Sequence, residues 1–75
     1  MIRLRVKEVA EEKGMSMRKL VTTANIAYNT LRTIYRDPYR EVSTATLNKL
    51  AKALDVPATM LIEEATQPQI EDNEN

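Results

Sequence analysis

Cysteine and histidine are both missing from the 75 residues, and glycine occurs once. Without Cys there is no disulfide, and without either residue there is no ordinary zinc site, so the staples that small domains often use are absent. A chain this short builds one domain around one modest core, and packing alone must hold that core. The same absences remove the commonest general base and the thiol nucleophile. No carboxylate pair stands beside a plausible nucleophile either, so the expectation is a protein that is not an enzyme and uses no metal and no cofactor. The lack of Cys fits a reducing cytoplasm. Long apolar runs are missing too, since none approaches the roughly 18 residues that span a bilayer. The opening Met1-Ile2-Arg3-Leu4-Arg5 mixes charge with apolar side chains where a signal peptide would have an apolar core. A cytoplasmic protein with no membrane partner is expected.

Net charge is zero, but it is unevenly divided. All eleven Lys and Arg lie within residues 1–62, together with Glu8, Glu11, Glu12, Asp37, Glu41 and Asp55, which leaves this part at +5. Residues 63–75 carry Glu63, Glu64, Glu71, Asp72 and Glu74 without a base, for −5. A basic folded part with an acidic appendage points to a polyanion as partner; a solvated surface whose charges happen to balance is the plainer alternative.

What is present is apolar residues at helical spacing, with no stretch alternating cleanly enough for a strand. Val6, Val9 and Ala10 make a stripe that ends at Gly14, giving a first helix over about residues 3–13. Ser16 can cap a second, over about 16–24, with Met15 and Leu20 as a hydrophobic staple and Leu20, Val21 and Ala24 facing inward. Asn25 tolerates a left-handed turn. Ile26 and Leu31 staple a third helix around Ala27, a poor cap, and Asp37-Pro38 ends that helix near Arg36. Val42 and Leu47 bracket Ser43 at the start of a fourth helix, which buries Leu47, Leu50, Ala51 and Leu54. Pro57 suits the first turn of a short fifth helix holding Met60, Leu61 and Ile62. The expected fold is all-α: a compact five-helix domain over residues 1–64, followed by a disordered acidic tail over 65–75.

Ser16 to Arg36 reads as a capped helix, a tight turn and a second helix with a polar outer face. This is the layout of a helix-turn-helix, in which the second helix enters the major groove of double-stranded DNA. Leu31 and Ile34 face inward. Tyr28, Asn29, Arg32, Thr33 and Arg36 are left for the outer face, with Asn29/Thr33 and Arg32/Arg36 at i,i+4.

The run Val6-Lys7-Glu8-Val9-Ala10-Glu11-Glu12-Lys13-Gly14-Met15-Ser16, then Leu20, Ala24-Asn25-Ile26 and Asn29-Thr30-Leu31-Arg32-Thr33-Ile34, resembles the lambda-repressor-like (Cro/cI, XRE) helix-turn-helix domain. So does the ending Thr46-Leu47-Asn48-Lys49-Leu50-Ala51-Lys52-Ala53-Leu54-Asp55-Val56-Pro57. The resemblance covers about residues 2–63. It implies a sequence-specific regulator of transcription, a repressor by preference, that reads DNA with its third helix; because one reading helix covers too few base pairs for useful specificity, a homodimer on DNA is expected. By the same resemblance, Tyr28, Asn29, Arg32 and Thr33 occupy base-reading positions. Ser16, Met17 and Arg18 stand at the phosphate-facing start of helix 2, and Arg36 and Arg40 lie where the chain after helix 3 grips the backbone. The sequence departs from the family's pattern in four places. Met17 stands where Gln is common, Ala27 where Ser is frequent, and Asp37-Pro38-Tyr39 where a Gly usually follows helix 3. Ala10 and Tyr35 hold the places of an Arg–Glu pair that many relatives bury; losing both partners strands no charge.

Plainer readings stand beside these. Arg32 and Arg36 can be ordinary solvated arginines. Arg18 and Lys19 oppose the helix dipole, which a nearby phosphate would explain and plain solvation would not require. Tyr28 and Tyr39 can meet DNA or cover the edge of the core, whereas Tyr35 and the four Met fit packing. Two alternative functions keep the fold: a protein-interaction module, and an antitoxin whose C-terminal tail binds a protein partner.

Overall fold

The computed structural model describes residues 1–66. It runs β1 (Ile2–Leu4), α1 (Val6–Glu12), α2 (Met17–Ala24), α3 (Tyr28–Arg36), α4 (Thr44–Leu54), a single 3₁₀ turn (Ala58–Leu61) and β2 (Ile62–Glu64). Four α-helices therefore replace the five expected, and the chain is mostly helical rather than all-α. The first helix begins at Val6 instead of about residue 3, because residues 2–4 are spent on a strand. The last expected helix shrinks to the 3₁₀ turn, and Ile62 is extended at φ −134° and ψ 154°.

The two strands pair antiparallel, with Ile2 opposite Glu64, Arg3 opposite Glu63 and Leu4 opposite Ile62. Backbone bonds from Arg5 to Leu61 (2.7 Å) and from Ala65 to Met1 (2.8 Å) close the ribbon at its two ends. Ala65 and Thr66 are the only residues of the expected tail that are described, and residues 67–75 lie outside the described residues.

Local chemistry accounts for the helix boundaries. The Ser16 hydroxyl oxygen accepts from the Lys19 N–H at 3.1 Å, and that of Ser43 accepts from the Thr46 N–H at 3.0 Å, each satisfying one of the free donors of a first turn. Three helices end on the same device. Gly14, Asn25 and Asp55 have φ of 67°, 59° and 58°, and the residue after each returns its N–H to a carbonyl five positions back. Those bonds are Met15 to Ala10, Ile26 to Val21 and Val56 to Ala51. This is the Schellman arrangement, and its hydrophobic follower (Met15, Ile26 or Val56) packs onto the core as the motif requires.

The core joins Leu4 of β1 to Val6, Val9 and Ala10 of α1, Leu20 and Ala24 of α2, Leu31 and Ile34 of α3, Leu50, Ala51 and Leu54 of α4, and Leu61. No polar or charged residue is buried among the described residues. Each fully buried Leu contributes on the order of 2 kcal/mol, so the few in α2, α3, α4 and the 3₁₀ turn account for much of what holds the fold. α4 packs against α2 and the 3₁₀ turn, while α1 lies against α3 and α4. Among the described residues, that leaves the outer face of α3 free. No helix among the described residues is long and apolar enough to cross a membrane.

Candidate nucleic-acid interface

α2 and α3 meet at a three-residue corner, Asn25-Ile26-Ala27, which the left-handed Asn25 turns and the half-buried Ile26 pins to the core. α3 begins at Tyr28 without a side-chain cap, because Ala27 at the N-cap has no acceptor. Leu31 and Ile34 are buried, and the remaining positions divide by exposure. Tyr28, Asn29, Arg32 and Arg36 are exposed, whereas Thr33 is half-buried. The Thr33 hydroxyl donates to the Asn29 carbonyl at 2.8 Å, so its hydrogen stays within the helix and only its lone pairs and methyl face outward. Tyr28 is 52 % exposed, and its hydroxyl lies 4.0 Å from the Met17 sulfur, the long limit for a bond to sulfur. Met17 itself is half-buried against the core. A thioether has no hydrogen to donate, so this side chain seats the first residue of α3 from below.

The segment after α3 is a built turn. The Asp37 carboxylate accepts from the Tyr39 N–H at 3.3 Å, and the Arg40 N–H donates to the Asp37 carbonyl at 3.1 Å. The Pro38 carbonyl in turn accepts from Leu4 of β1 at 2.7 Å. An Asx-type turn anchored on the ribbon stands where the resemblance led one to expect a Gly. It brings Arg40 and Glu41 to the rim of a hollow of about 300 Å³ shared with Asn29, Thr33, Ser43 and Thr46. Thr33 also lines a second hollow with Arg36 and Asp37. Of the expected site, Asn29, Thr33 and Arg40 are thus brought together. Tyr28 and Met17 form a neighbouring pair, and Arg36 stands at the far end of α3, about 12 Å along the axis from Tyr28. Arg18 is exposed in the first turn of α2, next to the cap Ser16.

Sequence reasoning did not place Ser43 and Thr46 near Asn29. The place of Ser43 at the start of a helix was legible, but the proximity of both residues to α3 depends on how the 37–42 segment folds back.

Electrostatically the chain has two ends. Among the described residues, every ion pair lies on the ribbon and its neighbour α1. Arg3 bonds Glu8 at 2.6 Å and Glu63 at 3.2 Å, and Arg5 stands 3.9 Å from Glu63. The hydrogen bond to Glu8 raises the Arg3 guanidinium, with burial opposing and Glu63 assisting. Burial pushes the Glu8 carboxyl up, but the bond from Arg3, a backbone bond and the charges of Arg3 and Arg5 outweigh it and leave Glu8 below its ordinary value. None of these pairs involves Arg18, Lys19, Arg32, Arg36 or Arg40. Tyr35, half-buried beside α1, is held above its ordinary value by burial and by the charge of Glu11; it packs on the core and takes no part in the outer face.

Compared with known proteins, residues 5–63 match a family described as a Cro/C1-type HTH DNA-binding domain. No curated protein and no solved structure shows a significant match to the chain.

Proposed function

The chain belongs to the Cro/C1-type HTH DNA-binding domain family, and we propose that it reads a specific double-stranded DNA sequence with α3 and regulates transcription, as a cytoplasmic repressor working by occupancy of its operator. The observation that carries this reading is the set of exposed arginines, Arg18, Arg32, Arg36 and Arg40, that no carboxylate neutralises among the described residues. They run along α2, α3 and the turn after it, beside the outward Asn29. Cations left free next to a row of donors and acceptors suit a partner that supplies phosphates and base edges at once.

Each side chain has a role in this proposal. Asn29 pairs with adenine through N6 and N7, and Arg32 with guanine through O6 and N7. Tyr28 and Thr33 flank them, Thr33 as an acceptor and a methyl contact. Arg18, Arg36 and Arg40 meet phosphate, Ser16 offers its remaining hydroxyl hydrogen at the start of α2, and Met17 acts through Tyr28. One reading helix covers few base pairs, so two copies occupy a near-palindrome with half-sites about one helical turn apart.

Selection of bound sequences from a random DNA pool, followed by salt titration, tests the whole. Asn29→Ala and Arg32→Ala should each lose about 1–3 kcal/mol of discrimination at one position. Arg40→Ala should weaken all sequences alike and flatten the dependence of log affinity on log salt by about one unit. If none of the three changes DNA binding, a protein-interaction module replaces this reading.

A further inference from the structure

Among the described residues, three of the five exposed large apolar side chains, Met1, Ile2 and Tyr39, lie side by side. With Val42, Leu47 and Ile62 they line an open groove of about 550 Å³ between β1, the turn after α3 and the side of α4. Scattered exposed apolar residues are normal, whereas a contiguous run of them marks a surface that something covers. The chain leaves the described fold at this surface. The Ala65 N–H donates to the Met1 carbonyl at 2.8 Å, and the Met1 amino group donates to the Ala65 carbonyl at 2.9 Å. Thr66 therefore departs beside one wall of the groove. Arg40 stands on the rim, exposed and outside every ion pair among the described residues.

We propose that the groove receives the chain's own C-terminal segment, residues 67–75, which lie outside the described residues, and, resting on the DNA-binding reading above, that the docked segment competes with DNA for Arg40. Composition and reach select this occupant. Gln67-Pro68-Gln69-Ile70-Glu71-Asp72-Asn73-Glu74-Asn75 holds one large apolar side chain, Ile70, followed at once by two carboxylates, and it holds no base. Four residues carry the chain from Thr66 to Ile70, a span of up to about 14 Å. Ile70 then meets Ile2 and Tyr39, and Glu71 and Asp72 meet the Arg40 guanidinium. Glu41, next to Arg40 on the same rim, repels those acids and keeps the contact weak. A tethered segment tolerates weakness. A tether of a few residues supplies an effective concentration in the millimolar range, so a contact with a Kd of about 1 mM fills the groove about half the time. Arg40 also lines the hollow beside Asn29 and Thr33, so docking takes away one phosphate contact and sets carboxylates beside the reading helix. Half-occupancy by such a competitor weakens DNA binding about twofold.

Because the chain has no cysteine, Asn73→Cys offers a single attachment point for a nitroxide label. Paramagnetic broadening of backbone amide signals is measured on the full chain without DNA, with the reduced label as reference. The strongest broadening should fall on Ile2, Tyr39, Arg40, Val42 and Leu47. Adding Ile70→Ser, a change outside the described core, should remove most of it from Tyr39, Arg40 and Leu47, whereas a bare tether would leave it unchanged. Equal broadening with and without Ile70→Ser overturns the proposal, as does broadening spread evenly over Arg18, Arg32 and Arg36. Broadening on an isotope-labelled copy mixed with a nitroxide-labelled one means that the segment docks on another molecule, and it overturns the proposal equally. Competition is read apart from docking, by titrating the DNA sequence selected from the random pool. At low ionic strength, Ile70→Ser and the double change Glu71→Gln/Asp72→Asn should each bind about twofold more tightly than the parent, and the gap should close as salt screens the Arg40 contact. Docking without that gain overturns the competition. A pool that yields no bound sequence refutes the DNA-binding reading and the competition with it, while the label measurement, made without DNA, still decides the docking.

Discussion

Gly14, Asn25 and Asp55 perform one task with three side chains. Each places a left-handed residue at the end of a helix so that the following N–H can return to the helix carbonyls. A left-handed backbone costs an ordinary L-residue on the order of 1 kcal/mol, glycine nothing, and Asn and Asp an intermediate amount because their short polar side chains bond locally. A Cβ at Gly14 would meet no atom within 4 Å, so Gly14→Ala isolates the backbone cost from any clash. Its expected effect is a loss of about 1 kcal/mol in urea unfolding with an unchanged m-value. A loss near zero would show that α1 ends differently in solution. Gly14 and Asn25 were legible as turn points from residue type and position. Asp55 was not, because the Val56-Pro57 that follows it looked like the start of the next element.

At the scale of the element, α3 is well formed within and poorly begun. Leu31 and Ile34 bury its inner face, and Arg36 in its last turn favours the negative end of the dipole. Yet Ala27 leaves the first-turn donors without a side-chain acceptor, whereas Ser16 and Ser43 supply one to α2 and α4. The Ala27 backbone, at φ −69° and ψ 140°, already has the extended form that a capping residue adopts. Ala27→Ser should therefore stabilise the protein by about 1 kcal/mol, read as a rise in Tm of a few degrees for a domain of this size. A stabilisation of that kind, with the bound sequence unchanged, would show that the weak cap has no part in recognition. A shift in base preference would show that the start of α3 adjusts on DNA. The boundaries of α2 and α3 and the start of α4 could be read from the sequence because caps, staples and the Asp37-Pro38 stop all act within one or two turns.

On the whole molecule, the ribbon and α1 are tied together by Arg3, which holds Glu8 of α1 and Glu63 of β2 at once. Glu8 titrates below its ordinary value of 4.5 in the fold. A depressed carboxyl adds stability that is fully present above the unfolded value and is lost as pH falls through the folded one. Part of that stability should disappear as the protein is acidified below about pH 4.5. Because Glu8 is partly exposed, solvent screening keeps the contribution under about 1 kcal/mol. Glu8→Gln should be slightly less stable than the parent at neutral pH and should flatten this part of the acid limb, compared by thermal melting across pH. Identical acid limbs in the two proteins would mean that the Arg3–Glu8 pair does not persist in solution. Leu61 belongs to this scale as well. The sequence placed Met60, Leu61 and Ile62 together on a short fifth helix, and the packing separates them. Leu61 is fully buried, Ile62 lines the apolar groove and Met60 stays exposed.

By itself the sequence determined three of the four helix frames, most of the core and the outward row on α3, all of which follow from periodicity, caps and turn residues acting over a few positions. Only the tertiary structure decided that residues 2–4 form a strand. The partner strand lies some sixty residues away, and neither run is long enough to show the two-residue period that marks a strand locally. It also decided that Arg40, Ser43 and Thr46 share a hollow with Asn29 and Thr33, since the path of the 37–42 segment depends on its Pro38 bond to Leu4. The same bond brings Tyr39 and Val42 beside Ile2 and so creates the groove. Contacts between distant segments are set by closing the chain around its core, and no local pattern records which surfaces that closure leaves side by side.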